Sequence, residues 1–454
     1  MAAPLHPRRR RRRLAAAVAA VATLLPVTAC GGVVSGDRAG TFTTMGYSMG
    51  DTLATARVDV ARKVLGTTRL QVNQGAFDEQ QFLSAVAAGD PPDVVVMDRS
   101  LIGGYAARGA IVPLTTCLKD RRVDVGQYRA SAMDEATLDG TVYGLPDSYD
   151  NRLLLIDGKV LAEAGDRVSD VDTSDWQGLS RLAKDLVRSK DGKLTRIGFD
   201  PKIPEFFPLW VRANGGLLLS RDGRTAHLDD PRTVEALSFA VSLIDAQGGW
   251  GRFKALRDTF DQFGAGNQIV RDQIGAYPME DWYVSVLGDV SPKVDLHTRP
   301  FTDRRGRPID YTSGYSWVIP KGSPHPQKAC RFITAMTSPD TWVTAARAKA
   351  RDIRKDGSPY TGDFTGNKVA DRRIHDEVWK PTGNAAFDEA ARQLYAAQDH
   401  AFSVPANAAG TEFRKAWQSA VNNVLSGEQS PEEALDEAQQ RAQSALDRGN
   451  TERE

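Results

Sequence analysis

The sequence predicts an α/β fold, and three observations predict it. Strand-like and helix-like stretches alternate from residue 41 onward, one short run is apolar throughout, and the second half carries helices with nameable caps. In order, Thr41 to Met45 reads as a short strand, Asp51 to Leu65 as a helix and Arg69 to Asn73 as a second strand. A helix from Asp78 to Ala88 follows, then Val94 to Met97, apolar like a strand covered on both faces. Such alternation predicts a parallel sheet with crossover helices. Asp230-Pro231 opens a helix from Pro231 to Gln247 with a cap and a first-turn proline, and Gly248-Gly249 ends it. Ser430-Pro431-Glu432-Glu433 is a capping box ahead of ALDEAQQRAQSAL, whose Ala434, Leu435, Ala438, Ala442 and Leu446 share one helical face. Asp352 to Lys380 is polar, with Gly357, Pro359, Gly362 and Gly366, and is expected to be a long loop or insertion.

Six arginines, Arg8 to Arg13, precede an apolar run from Leu14 to Val27 broken only by Thr23 and Pro26. This describes an export signal, and the run falls short of the roughly 20 apolar residues of a membrane-spanning helix. Val27-Thr28-Ala29-Cys30 resembles a bacterial lipobox, in which the cysteine is acylated and begins the mature chain; the alternative is a plain secretory signal with an incidental cysteine. On the first reading, residues 1–29 are the signal peptide, 30–40 a flexible tether, and the protein is held on the extracytoplasmic face of the cell membrane.

The 454 residues suit two compact lobes rather than one core. Lys+Arg and Asp+Glu both total 58, so there is no net field to recruit nucleic acid, and the basic cluster sits in the signal. The six histidines are scattered without metal-ligand spacing, and no phosphate-binding glycine loop occurs, so neither metal nor cofactor is expected. Cys117 and Cys330 would pair in an oxidising compartment or remain two buried thiols.

Gly46 to Gly50 reads GYSMG, the pattern of a nucleophile elbow, with Ser48 between a strand and a helix as a serine hydrolase requires. It lies on the first strand of the mature chain, whereas a hydrolase elbow follows several strands, and His375 and His400 have no recognisable triad setting. Glu280, Asp281 and Asp150 could form the carboxylate pair of a glycosidase, which requires a separation of about 5 to 9.5 Å.

At Gln81 to Gly109 the chain reads QFLSAVAAGDPPDVVVMDRSLIGGYAARG, which resembles the maltose-binding type of extracellular solute-binding protein. The resemblance continues in order through DGTVYGLPDSYDNRLLLID, DWQGLSRLAKDL, FFPLWVRANGGLLL, IGAYPMEDWYVSV, YTSGYSWVIPKGSPHPQKACRFITAM and VNNVLSGEQSPEEALDEAQ. It implies a two-lobed clamp of periplasmic-binding-protein type with discontinuous lobes, 41–145 plus 318–350 and 146–317 plus 351–448, and a tail at 449–454. Hinge crossings are expected near Tyr143 to Arg152 and Tyr311 to Ile319. The implied function is capture of a mono- or oligosaccharide by a monomeric receptor that delivers it to the permease subunits of an ABC importer. A surface sensor without transport would keep the same clamp.

The resemblance also proposes a ligand set. Trp282, after Pro278-Met279-Glu280-Asp281, stands at the main stacking aromatic, and Asp150 where the family keeps an acidic hydroxyl ligand. Asp98 ends the strand after PDVVV and is followed by Arg99, a carboxylate and guanidinium suited to hydroxyls; Glu205, Phe206 and Phe207 could wall the site, and Tyr47 and Tyr315 lie in the first ligand loop and the return strand. Arg414 replaces a second tryptophan of maltose binders, and Met97 another aromatic. With less aromatic surface, a smaller, more polar or acidic sugar fits better than a long α-glucan.

Overall fold

The computed structural model describes residues 40–452. The segment expected to be an export signal, Cys30 and the expected tether through Ala39 lie outside the described residues.

Two five-stranded sheets organise the chain. In the first, the spatial order is Arg69–Val72, Thr41–Met45, Val94–Asp98, Tyr315–Val318 and Gly144–Pro146. The first three strands are parallel, as alternating strands and helices require. Val94 to Met97 are buried on both faces, which explains their unbroken apolar character. Tyr315–Val318 returns from the far end of the sequence and runs antiparallel to Val94–Asp98, with Tyr315 opposite Asp98. In the second sheet the order is Leu296–Arg299, Arg152–Asp157, Ile274–Glu280, Lys193–Phe199 and Arg188–Lys190. The chain therefore leaves the first sheet after Pro146 and re-enters it at Tyr315, and the crossings meet where Asp150 and Ser313 form an antiparallel bridge.

The helix starts are set by side chains that satisfy otherwise unpaired amides. Asp51 accepts from the Ala54 amide at 2.7 Å, and Asp78 from that of Gln81 at 2.8 Å. Asp230 caps Pro231–Asp245, and the Ser430/Glu433 capping box opens Pro431–Thr451. That last helix runs into the segment expected to be a tail: Gly449 packs so closely on Ala408 that a Cβ there would lie 2.9 Å from it.

The stretch 352–380 is not the long loop its composition suggests. Pro339–Lys355 is one continuous helix through position 350, and Lys368–Glu377 is another, capped by Asn367. Ala370, Ile374 and Val378, four residues apart, pack with Trp342, Val343, Ala346 and Leu53. Three apolar residues among lysines and arginines suffice because the neighbouring helix supplies the rest of the core.

Phe42, Trp317 and Phe332 form the centre of the first lobe, with Trp317 and Phe332 edge-to-face at 5.3 Å. A disulfide joins Cys117 to Cys330 and so ties Thr115–Arg121 to Pro326–Met336. Trp210 anchors the second lobe: its indole donates to the Pro201 carbonyl at 2.8 Å, and Phe301 packs edge-on at 5.0 Å. No helix among the described residues is long and apolar enough to cross a membrane.

Candidate functional site

Two buried arginines hold the crossing segments. Arg99, at the C-terminal end of the first lobe's central strand, pairs with Glu135 at 2.9 Å and donates to the carbonyls of Ser148 and Ser313, one on each crossing. Its own amide donates to the Gly314 carbonyl at 2.9 Å. Gly314 has φ of +141°, and a Cβ there would collide with the Ser148 carbonyl and the Arg99 guanidinium, so only glycine permits this approach. Arg152, at the start of the second lobe's strand, donates to Glu280 and to the Ser313 hydroxyl, both at 2.7 Å, and to the Asp150 carbonyl at 3.0 Å. Its amide donates to Asp310 at 2.8 Å, and its guanidinium stacks over Phe206 and Tyr311.

These arginines sit among more carboxyls than they neutralise. Burial raises Asp150 to about 6, with the Glu280 charge adding to it. Burial raises Glu135 to about 7 and Asp310 to about 8 despite the opposing pull of Arg99 and Arg152 respectively. Asp281, which accepts from the Asn151 amide at 3.0 Å, is also pushed up by burial and then by Asp150.

A cleft of about 500 Å³ opens beside this junction on the second lobe, where the parallel strands Lys193–Phe199 and Ile274–Glu280 end. The C-terminal ends of parallel strands are where open α/β sheets bind ligands. Trp282 forms one wall, half-buried, its indole N–H donating to Glu280 at 2.7 Å. Phe263 stacks on it at 5.9 Å with an interplanar angle of 15°. Phe206, Trp250 and Met279 supply the remaining apolar surface, and Lys202, Glu205, Lys254, Arg257 and Asp258 the charges. Arg257 takes Glu205 at 2.6 Å and the buried Asp200 at 3.4 Å, while Lys254 takes Asp258.

The residues proposed from sequence divide into three groups. Trp282 and Glu205 line the cleft; Asp150 lies at the junction, and Tyr315, 48% exposed, faces it from the first lobe. Burial raises the Tyr315 hydroxyl, and the charges of Asp98, Asp150 and Glu280 raise it further, so these four converge. Asp98 and Arg414 instead meet each other: an Arg414 Nη donates to Asp98 at 3.0 Å and to the Ser100 hydroxyl at 2.8 Å, linking the first lobe to the helix Thr411–Ser426 of the second.

Tyr47 and Phe207 are placed elsewhere. Tyr47 is buried in the first lobe against Trp317 at 5.1 Å, and burial pushes its hydroxyl up to about 12. Phe207 is 0% exposed, its ring 6.1 Å from Trp417; the preceding Phe206 reaches the cleft because Phe207 opens the helix Phe207–Ala213 with its side chain inward. Arg152, Glu280 and Lys202 were not in the proposed ligand set. Arginine directly after the crossing and the acidic pair before Trp282 were the available signals.

Ser48 lies exposed ahead of the first helix, Thr52–Val64. Gly46 has a structural reason, since at φ of +78° a Cβ would run into the Val96 carbonyl. Among the described residues no imidazole is hydrogen-bonded to Ser48; His375 instead bonds Asp376 at 2.8 Å and stacks on Trp379.

The family described as bacterial extracellular solute-binding protein matches residues 64–355, more than half of the chain. The chain belongs to this family. Solved structures share the fold of this solute-binding protein over nearly their whole length. CpMnBP1 with mannotriose bound aligns with a TM-score of 0.71 and 24% identity, over 88% of this chain and 99% of that one. The substrate-binding protein Lmo0181 from Listeria monocytogenes, in complex with cycloalternan, gives 0.70 and 17% over 90% and 99%. Maltose-bound MalE3 of T. maritima gives 0.65 and 19% over 89% and 100%. At these identities the likeness establishes the architecture, a two-lobed α/β clamp, and the crossings above are its hinge.

Proposed function

We propose that this solute-binding protein captures a carbohydrate in the cleft between its lobes and delivers it to the permease of an ABC importer. The observation that carries this reading is the pairing of Trp282 with Glu280 at the rim of the second-lobe cleft. A sugar offers flat C–H faces and a rim of hydroxyls, and such an aromatic plane edged by a carboxylate matches both. Asp150 and Tyr315 complete the grip when the lobes close, and the doubly braced hinge takes up the rotation. The sugars bound by CpMnBP1, Lmo0181 and MalE3 support a carbohydrate. Acyl chains on Cys30 would keep the receptor beside its permease on the extracytoplasmic face, with no metal or cofactor and as a monomer.

Thermal unfolding of the purified chain against a panel of mono- and oligosaccharides, with amino acids and polyamines as controls, tests the reading. A ligand at 100 times its Kd adds about 2.7 kcal/mol. A shift with one sugar class that Trp282→Ala abolishes is expected; a shift only with a control solute, or none at all, overturns it. Cys30→Ser should release the protein from the membrane fraction.

A further inference from the structure

The cleft beside Trp282 contains one charge without a direct partner. Lys202 lines it and is only 8% exposed. The neighbouring charges are already taken: Glu205 and Asp200 by Arg257, Asp258 by Lys254, and Glu280 by Arg152. Among the described residues no carboxylate lies within ion-pair distance of the Lys202 ammonium. Burial lowers its pKa while the more distant Asp200 charge opposes this, as expected of an ammonium that has lost water and gained no contact.

The backbone holds the side chain in that place at a cost. Lys202 has φ of +54°, a left-handed conformation uncommon outside glycine and asparagine. Its amide donates to Asp200 at 2.7 Å, and its carbonyl accepts from the Phe206 amide at 2.7 Å. Strain of this kind persists where the surroundings enforce it, and it concentrates at ligand sites.

We infer that Lys202 anchors an anionic group, so that the ligand is an acidic sugar whose ring lies on Trp282 and whose carboxylate meets the Lys202 ammonium. A hydroxyl would restore one hydrogen bond to a desolvated ammonium; a carboxylate also neutralises it, and charge-assisted bonds are roughly twice as strong as neutral ones. The inference rests on the carbohydrate reading above and adds the substrate class.

The test compares D-glucuronate and D-galacturonate with D-glucose and D-galactose by calorimetric titration of the full chain. The uronates should bind at least about tenfold more tightly than their neutral parents, a factor within reach of one charge-assisted contact. Lys202→Asn, whose side chain tolerates the left-handed backbone, should cost the uronates far more affinity than their neutral parents and so remove the preference, and Lys202→Arg should largely restore it. Trp282→Ala should weaken both classes. Should Lys202→Asn not fold, the wild-type chain still decides: uronate affinity must fall with added salt while neutral-sugar affinity does not. Equal affinity for acid and neutral sugar, or a preference unaffected by Lys202→Asn, overturns the acidic-sugar inference and leaves the carbohydrate reading standing. Binding of no sugar at all overturns both.

Discussion

The two sides of the junction between the lobes are built on opposite plans. On the first lobe the charged groups at the strand end are engaged: Asp98 is held by Arg414 and Ser100, and Arg99 is enclosed by Glu135 and the hinge carbonyls. Its available aromatic surface is Tyr315. The second lobe presents Trp282, Phe206 and Trp250 around the unpartnered ammonium of Lys202. A surface already satisfied gains little from a ligand, whereas apolar planes and an unpaired charge gain much. On the carbohydrate reading proposed above, the difference gives first capture to the second lobe and closure to the first.

The largest expected effect comes from removing the brace that both sides share. Arg152→Met leaves Glu280 without its cation and removes the guanidinium contacts to Asp150, Tyr311 and Ser313 on both crossings, so it should cost about 3–5 kcal/mol in urea unfolding. Trp282→Ala should cost far less, about 1 kcal/mol or below, because the ring is half-buried and stacks mainly on the exposed Phe263. Comparable losses for the two variants would make Trp282 a core residue and remove the asymmetry between the sides.

Next in size is the staple confined to the first lobe. Cys117 and Cys330 are 213 residues apart in sequence, and replacing both by serine should lower stability by about 2–4 kcal/mol. Ligand affinity should hold, since none of the second-lobe cleft touches the disulfide's two helices. A parallel loss of affinity in calorimetry would mean that the first lobe contributes more of the grip than its side of the junction suggests.

Acidity probes the junction between the lobes. Asp310 is raised by burial from 3.8 to about 8, so the folded chain keeps a proton that the unfolded chain has lost between those values. Its contribution is complete below the ordinary carboxylate range and disappears as pH rises through about 8. Asp150 and Glu135, raised to about 6 and about 7, act in the same sense. The melting temperature should therefore gain from lowering pH from 8 toward 5, and Asp310→Asn should flatten the slope of stability against pH by on the order of 1 kcal/mol per pH unit. A slope unchanged in the variant would assign the pH dependence to other groups.

How much of this was readable in the sequence depends on the kind of interaction. Strands such as Val94 to Met97 were legible because burial on both faces forces an unbroken apolar run. The place of Trp282 at the cleft was legible because the apolar strand Ile274–Glu280 runs directly into MEDW and sets the ring at its end. Phe206 and Phe207 were not separable: adjacent identical residues point to opposite sides, and only the helix start decides which side meets the cleft. Tyr47 was misplaced for a similar reason, since Trp317, 270 positions away, covers it. Lys202 carries no local signal, because its isolation follows from who pairs with Arg257, Lys254 and Arg152.

The smallest stability effect should come from the Asp98–Arg414 ion pair, which joins the first lobe to the helix Thr411–Ser426, and it discriminates most sharply between two roles for the same residues. Asp98 and Arg414 are about 40% and 33% exposed, where such pairs contribute about 0–1 kcal/mol. A double-mutant cycle with Asp98→Asn and Arg414→Met should give a coupling within that range in urea unfolding. If the pair is an interlobe latch, each variant shifts ligand affinity by a similar small factor and the double variant by no more, because either substitution already breaks the contact. If Asp98 instead binds the ligand, as its place at the strand end suggests, Asp98→Asn alone should lose affinity well beyond that factor while Arg414→Met does not. In that case closure exchanges Arg414 for the sugar, and the first lobe's side is less saturated than this arrangement of the lobes makes it.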